Sequence, residues 1–217
     1  MIKSLTRVKH IGRVFNDPTS LLDAHVARLC VLFEDLRIET YGIIEDTLPL
    51  DFTSEAYRRN YFLRRSIATV VEIAEEIRLL DELELFERIK SSFEGDSLKN
   101  WNKAVTFFRR YESFFELVRN DIGGHFGLKA ARYALTDLPN TVGVIQIVRG
   151  GNNGAGVKLK FAGEIVVSAM FRHKGRHTDN WYLHRLLRLT RAGYRHGIKA
   201  INAIAAFYLW DELFSGA

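Results

Sequence analysis

An arginine, a polar neighbour and a histidine stand together in Arg119-Asn120-Asp121-Ile122-Gly123-Gly124-His125, and these residue types suit phosphate chemistry. Arg119 offers a cation that never loses its proton, and His125 offers an imidazole that titrates near neutrality. On an unbroken helix six residues correspond to about 120° of rotation, so the two side chains would not share a face. Gly123-Gly124 removes that constraint, because glycine leaves helical geometry readily and lets the chain bend or re-enter a helix at a new angle. A second copy in a symmetric dimer is another way to complete such a site. The plainer reading is a helix C-terminus closed by an arginine that complements the macrodipole, followed by glycine breakers and a histidine opening the next helix.

A second chemical feature is a run of cations. From Arg172 to Lys199 there are eight Lys or Arg against one acid, Asp179. Arg185, Arg188, Arg191, Arg195 and Lys199 fall within roughly a 120° arc of one helix. This stripe is either a solvated face or a row of phosphate contacts. The absence of acids at i,i+4 spacing distinguishes it from a face laced with ion pairs and favours a polyanionic partner such as RNA. The formal charge of +5 points the same way. Arg65 and Glu72 lie seven residues apart at the edge of an apolar helix side, as a structural ion pair or solvated flank, or as auxiliary site residues.

No Cys/His cluster or carboxylate set has metal-ligand spacing, so neither metal nor cofactor is expected. Cys30 is the only cysteine and lies in an apolar periodic run, as expected of a structural thiol. One cysteine cannot form an intrachain disulfide, which suits a reducing, cytoplasmic compartment. No window of about 18 residues is free of charge, so no membrane span is expected. The first 16 residues contain Lys3, Arg7, Lys9 and Arg13 but no acid; without a continuous apolar stretch or a cleavage pattern they read as a basic arm.

These residues need elements to position them. Three prolines in 217 residues, with 47% hydrophobic side chains in periodic runs, predict a mainly α protein with one domain spanning 1–217. A helical bundle is expected over 17–138. Asp17-Pro18-Thr19-Ser20 supplies caps for a first helix reaching about Asp46, with Leu21, Leu22, Leu29, Phe33, Leu36 and Ile44 on its period. A second helix covers Ala56 to Leu80, a shorter helical piece Asp81 to Phe93, and a third helix Leu98 to about Asp121, with Trp101, Val105, Phe108, Phe115 and Val118 as core. A short fourth helix covers Phe126 to Leu135.

The period then shortens. Alternation over Val142–Val148 and Val157–Phe161 predicts an antiparallel β-hairpin, and Glu164–Phe171 a third strand, giving a small β insertion over 139–172. The glycine-rich stretch Arg149–Gly154 lacks the Gly-Lys-Ser/Thr ending of a phosphate cradle and leads into a strand, as a hairpin turn does. A long basic amphipathic helix is expected over 178–215, with Leu183, Leu187, Tyr194, Ile198, Ile201, Ala205 and Tyr208 inward.

Arg119, polar Asn120 and His125 at a helix junction resemble the Arg-x5-His motif of HEPN-superfamily ribonucleases. The sequence Tyr-Phe-Leu-Arg-Arg-Ser at 61–66 is similar to a second-helix pattern of abortive-infection members. The resemblance covers about Leu21 to Leu135; the β segment and the long basic helix lie outside the minimal fold. It implies a metal-independent endoribonuclease, commonly homodimeric, acting as a toxin or phage-defence effector, with an antitoxin as a further partner. His125 would then exchange protons with the ribose 2′-OH or the leaving 5′ oxygen. Arg119 would hold the phosphate oxygens and Asn120 would orient either group. The alternative is a non-catalytic helical module that binds nucleic acid or nucleotide through the same basic surface, or a structural dimer; only the enzyme needs both Arg119 and His125.

Overall fold

The computed structural model describes residues 15, 17, 19–45, 55–93, 95–122, 126–138, 145–148, 156–159 and 161–214. Within these the chain is mainly helical: α1 (Leu21–Ile44), α2 (Glu55–Asp81), α3 (Glu84–Ser91), α4 (Ser97–Ile122) and α5 (Leu128–Asp137) precede a two-stranded ladder, and α6 (Phe161–Met170) and α7 (Asp179–Phe214) follow it. The first helix starts where its caps dictate. Ser20 accepts a hydrogen bond from the Asp23 backbone N–H (3.2 Å), and Asp17 accepts from both the N–H (2.8 Å) and the hydroxyl (2.6 Å) of Thr19. Thr178 caps α7 in the same way, accepting from Trp181 N–H at 3.3 Å.

The main core lies among α1, α2, α4 and α7. Leu29, Leu36, Ile73, Ile77, Leu80, Trp101, Phe115 and Ile204 are fully buried there. Short α3 closes one end by inserting Phe86 beside Trp101, with ring centroids 4.6 Å apart. Asp81 pins that end, accepting from Trp101 Nε1 and from Lys90 Nζ, each at 2.9 Å. The buried indole N–H is thereby satisfied, as burial requires. A second core joins Ile67 and Val118 to Ala130 and Ala134 of α5, Val166, Ala169 and Met170 of α6, and Leu186 of α7.

Four expectations are corrected. Glu164–Phe171 does not form a third strand. Phe161–Met170 is a helix, followed by one 3-10 turn at Phe171–His173, so the expected β insertion does not extend to 172. Gly163, Val166, Ala169 and Met170 are buried at helical spacing and dock this segment on α5; Ser168 donates to Asp137 at 2.8 Å. Tertiary packing here overrides the strand preference of Ile165-Val166-Val167. Leu21 and Ile44 of α1 face solvent, since α2 covers a narrower face of that helix than its apolar residues span. The fourth helix runs over Leu128–Asp137, two residues later than expected at each end. Finally, α7 is rotated by about 100°, one residue, from the expected face: Tyr182, Leu186, Leu189 and Ala200 point inward while Leu187 is exposed, although Ile201 is buried and Tyr194 packs on the core as expected.

The ladder pairs β1 (Ile145–Val148) with β2 (Gly156–Leu159) antiparallel, Ile145 opposite Leu159 and Val148 opposite Gly156. The expected turn Arg149–Gly154, the basic arm, and the stretch 46–51 that contains Pro49 lie outside the described residues.

The rotation of α7 follows from two glycines. A Cβ on Gly193 would lie 2.7 Å from Val70 Cγ1 and 3.5 Å from Phe115 Cζ, and one on Gly197 3.1 Å from Ile73 Cγ2. Only glycine allows α7 to approach α2 this closely. Gly193→Val is expected to destabilise the fold by about 1–3 kcal/mol, the usual range for overpacking a core. Urea unfolding measures it, and an unchanged midpoint would contradict the close approach.

Candidate nucleic-acid interface

The basic stripe is on the surface. Arg188, Arg191, Arg195 and Lys199 are exposed, and Arg185 is half-buried, its guanidinium 5.1 Å from the Phe114 ring centre and 5.4 Å from that of Trp181. Among the described residues none of the five has a carboxylate partner. Arg188 does more than face solvent: it forms one wall of an open groove of about 950 Å³ between α4 and α7.

That groove is lined by cations from both helices. Lys99, Lys103 and Arg110 come from α4, Arg188 and His196 from α7, and no acid is among the described lining residues. Lys99 is 3.7 Å from Asp96 at one end, whereas Lys103, Arg110 and Arg188 have no carboxylate partner among the described residues. Phe107 and Leu189 form an apolar floor. The His196 ring stacks on Phe107, centroids 4.6 Å apart and planes 24° from parallel. Partial burial, together with the positive charges of Lys199, Arg195 and Lys103, pushes the His196 imidazole below its ordinary value of 6.5, so it is neutral at pH 7. His196 thus lies within reach of cations from both helices, Lys199 and Arg195 of α7 and Lys103 of α4.

The Arg119 motif is elsewhere. Arg119 lies about 160° around α4 from Lys103, on the opposite side of that helix. It borders a smaller groove of about 210 Å³ between α2 and α4, in mixed charge: Arg78, Arg109 and Arg119 with Glu75, Glu82, Glu112 and Glu116. Arg119 and Asn120 are both exposed. A Cβ on Gly127 would stand 3.9 Å from the Asn120 carbonyl oxygen, so Gly127, which precedes α5, lies beside the last turns of α4. His125 lies outside the described residues.

Arg65 and Glu72 belong to a polar seam between α1 and α2. Arg65 Nε is 3.4 Å from Glu39 Oε1, and Glu72 is 3.4 Å from Arg28 Nη2. Next to them the wholly buried Glu76 accepts from His25 Nδ1 at 2.6 Å and from Arg28. Such a buried carboxylate needs both partners, since an unpaired charge in the interior is costly. Neither Arg65 nor Glu72 lines either groove. Their spacing reflects helix pairing.

Cys30 is half-buried, and burial together with Glu34 raises its thiol above the ordinary value, which favours the protonated form over the nucleophilic thiolate. Among the described residues no group of three His, Cys, Asp or Glu could hold a metal ion, and no helix is long and apolar enough to cross a membrane.

Lys99, Lys103, Arg110 and His196 escaped the sequence reading. The signal was present on α4, where Lys99, Lys103, Thr106 and Arg110 recur at steps of four, three and four residues, one helical line. Its partner wall on α7 lies far away in the chain. Neither family models, curated proteins nor solved structures match this chain.

Proposed function

We propose that this protein binds RNA along the groove between α4 and α7, with the stripe Arg185, Arg188, Arg191, Arg195 and Lys199 extending the contact along α7. The observation that carries this reading is the convergence of Lys103, Arg110 and Arg188, none with a carboxylate partner among the described residues, from two helices on one open groove without an acid among its described lining. Phosphate contacts of this kind supply most of the affinity for nucleic acid and make it fall with salt. The experiment is a titration of fluorescent RNA across a salt series. Lys103→Gln, Arg110→Gln and Arg188→Gln together should lower affinity roughly 50-fold at physiological salt and flatten the slope of log K against log salt by about 2. An unchanged slope would sink the groove as the binding surface.

A second reading is cleavage of that RNA by Arg119, Asn120 and His125 as a metal-independent endoribonuclease. It is supported by the approach of Gly127 to Asn120, the residue next to Arg119: a Cβ on Gly127 would stand 3.9 Å from the Asn120 carbonyl oxygen. Here Arg119 would stabilise the charge on a pentacovalent phosphate while His125 moved the protons. Because Arg119 is on the far side of α4, the binding groove and the reacting centre would be separate surfaces that one strand reaches by wrapping around the end of the helix.

A further inference from the structure

A groove built only to neutralise phosphates would have polar walls and no use for an aromatic floor. This one has both. Phe107 and His196 lie nearly parallel at 4.6 Å, and Tyr111 adds a third ring with its centroid 5.1 Å from Phe107. All three line the groove, half-buried, so a face or edge of the cluster is open to it. The His196 ring has no hydrogen-bond partner among the described residues, and partial burial together with the cations around it favours the uncharged ring, the state in which an imidazole stacks as an ordinary aromatic.

We propose that the groove seats single-stranded nucleic acid, with a base stacked on the shelf of His196, Phe107 and Tyr111 and the neighbouring phosphates on Lys103, Arg110 and Arg188. This rests on the binding reading of the same groove and adds to it the substrate class. In a duplex the base faces are occupied by one another, and A-form RNA offers a protein mainly its backbone, 2′-hydroxyls and minor-groove edges. A duplex would leave the shelf uncovered. An unpaired base covers it, and every base has a π-face, so binding would be tolerant of sequence. Arg110, with its guanidinium 5.4 Å from the Tyr111 ring centre, can reach a phosphate on the strand that such a base belongs to.

The test measures anisotropy with a labelled single-stranded RNA, the corresponding duplex and a heparin oligosaccharide, a polyanion without bases. Wild-type protein should prefer the single strand to the duplex by at least about tenfold. His196→Ala and Tyr111→Ala should each weaken single-strand binding by about 5- to 100-fold, the range for losing one stacked base. Their salt slopes and heparin binding should stay as in wild type. His196→Phe restores stacking without a titrating group and should bind like wild type, which separates stacking from any loss of fold in the alanine variants. Equal affinity for duplex and single strand, or single-strand binding unaffected by His196→Ala and Tyr111→Ala, overturns the shelf while leaving phosphate binding by the groove in place. Failure of the wild type to bind either RNA or heparin overturns both readings.

Discussion

His125→Ala is expected to lower RNA cleavage by about 10²–10⁴-fold, the usual contribution of a positioned general acid or base, with folding and RNA affinity close to wild type. Arg119→Ala should reduce turnover in the same direction by removing the cation that meets charge developing on phosphorus. Under the enzymatic reading, with the 2′-OH as nucleophile, the products should carry a 2′,3′-cyclic phosphate and a 5′-hydroxyl. EDTA should leave the rate unchanged, and a strand with 2′-deoxyribose at the scissile position should survive. The placement of Arg119 on the side of α4 away from the cationic groove adds a kinetic distinction. Substitutions at Lys103, Arg110 and Arg188 should raise KM, while those at Arg119 and His125 should lower kcat. Wild-type cleavage by both alanine variants, or no cleavage of any single-stranded RNA by the wild type, would remove the enzymatic reading and leave the binding module.

The second large effect concerns Glu39, which is 6% exposed and faces α2 from α1. It accepts from Thr69 Oγ1 at 3.0 Å through Oε1, while Oε2 is buried without a partner. Burial pushes its carboxyl up to about 7 from an ordinary 4.5, partly offset by the Thr69 hydrogen bond and by Arg65 and reinforced by Asp35 and Glu72. The folded state therefore holds a proton that the unfolded chain releases between those values. The stability associated with Glu39 is complete below pH 4.5 and declines as pH rises to about 7. At about 1.4 kcal/mol per pH unit the loss is about 3 kcal/mol, and it levels off above neutrality. Glu39→Gln keeps the shape of the protonated acid at every pH. Its gain over wild type should be near zero at pH 4.5, grow through pH 6 and reach about 3 kcal/mol at pH 8. Urea unfolding at several pH values measures the difference, and parallel profiles for the two proteins would refute it.

How far the fold was legible depends on how local its causes are. Asp17, Thr19 and Ser20 start α1 through hydrogen bonds within six residues, and Thr178 starts α7 within three, so those boundaries could be read directly. Trp101, Phe108, Phe115 and Val118 are buried on α4 as their spacing implied, because that one apolar face is covered along its length, by the main core and, at Val118, by the second. Where a segment is apolar on more than one face, the neighbours decide. Ile165-Val166-Val167 suits a strand locally but becomes helical when docked against α5, and α7 turns by one residue because Gly193 and Gly197 accept Val70 and Ile73. Arg65 and Glu72 illustrate a different limit: their common line on α2 was visible, but their partners Glu39 and Arg28 on α1 were not. The cationic groove was half legible. The stripe on α7 has a helical period, whereas the facing positions Lys103 and Arg110 acquire meaning only once α4 lies beside it.

The glycine contacts of α7 act as a keyway. Val70 and Ile73 project from α2 into the notches at Gly193 and Gly197, one turn apart, so sliding α7 along its axis would drive a Cα-flanked wall into a branched side chain at both points. Axial translation of α7 is therefore blocked at two successive turns, and with it the offset between Arg188 and His196 on one bank and Lys103 and Arg110 on the other. The spacing of charges that a bound strand would meet is therefore fixed in the free protein, so little ordering of the protein would be left to oppose binding.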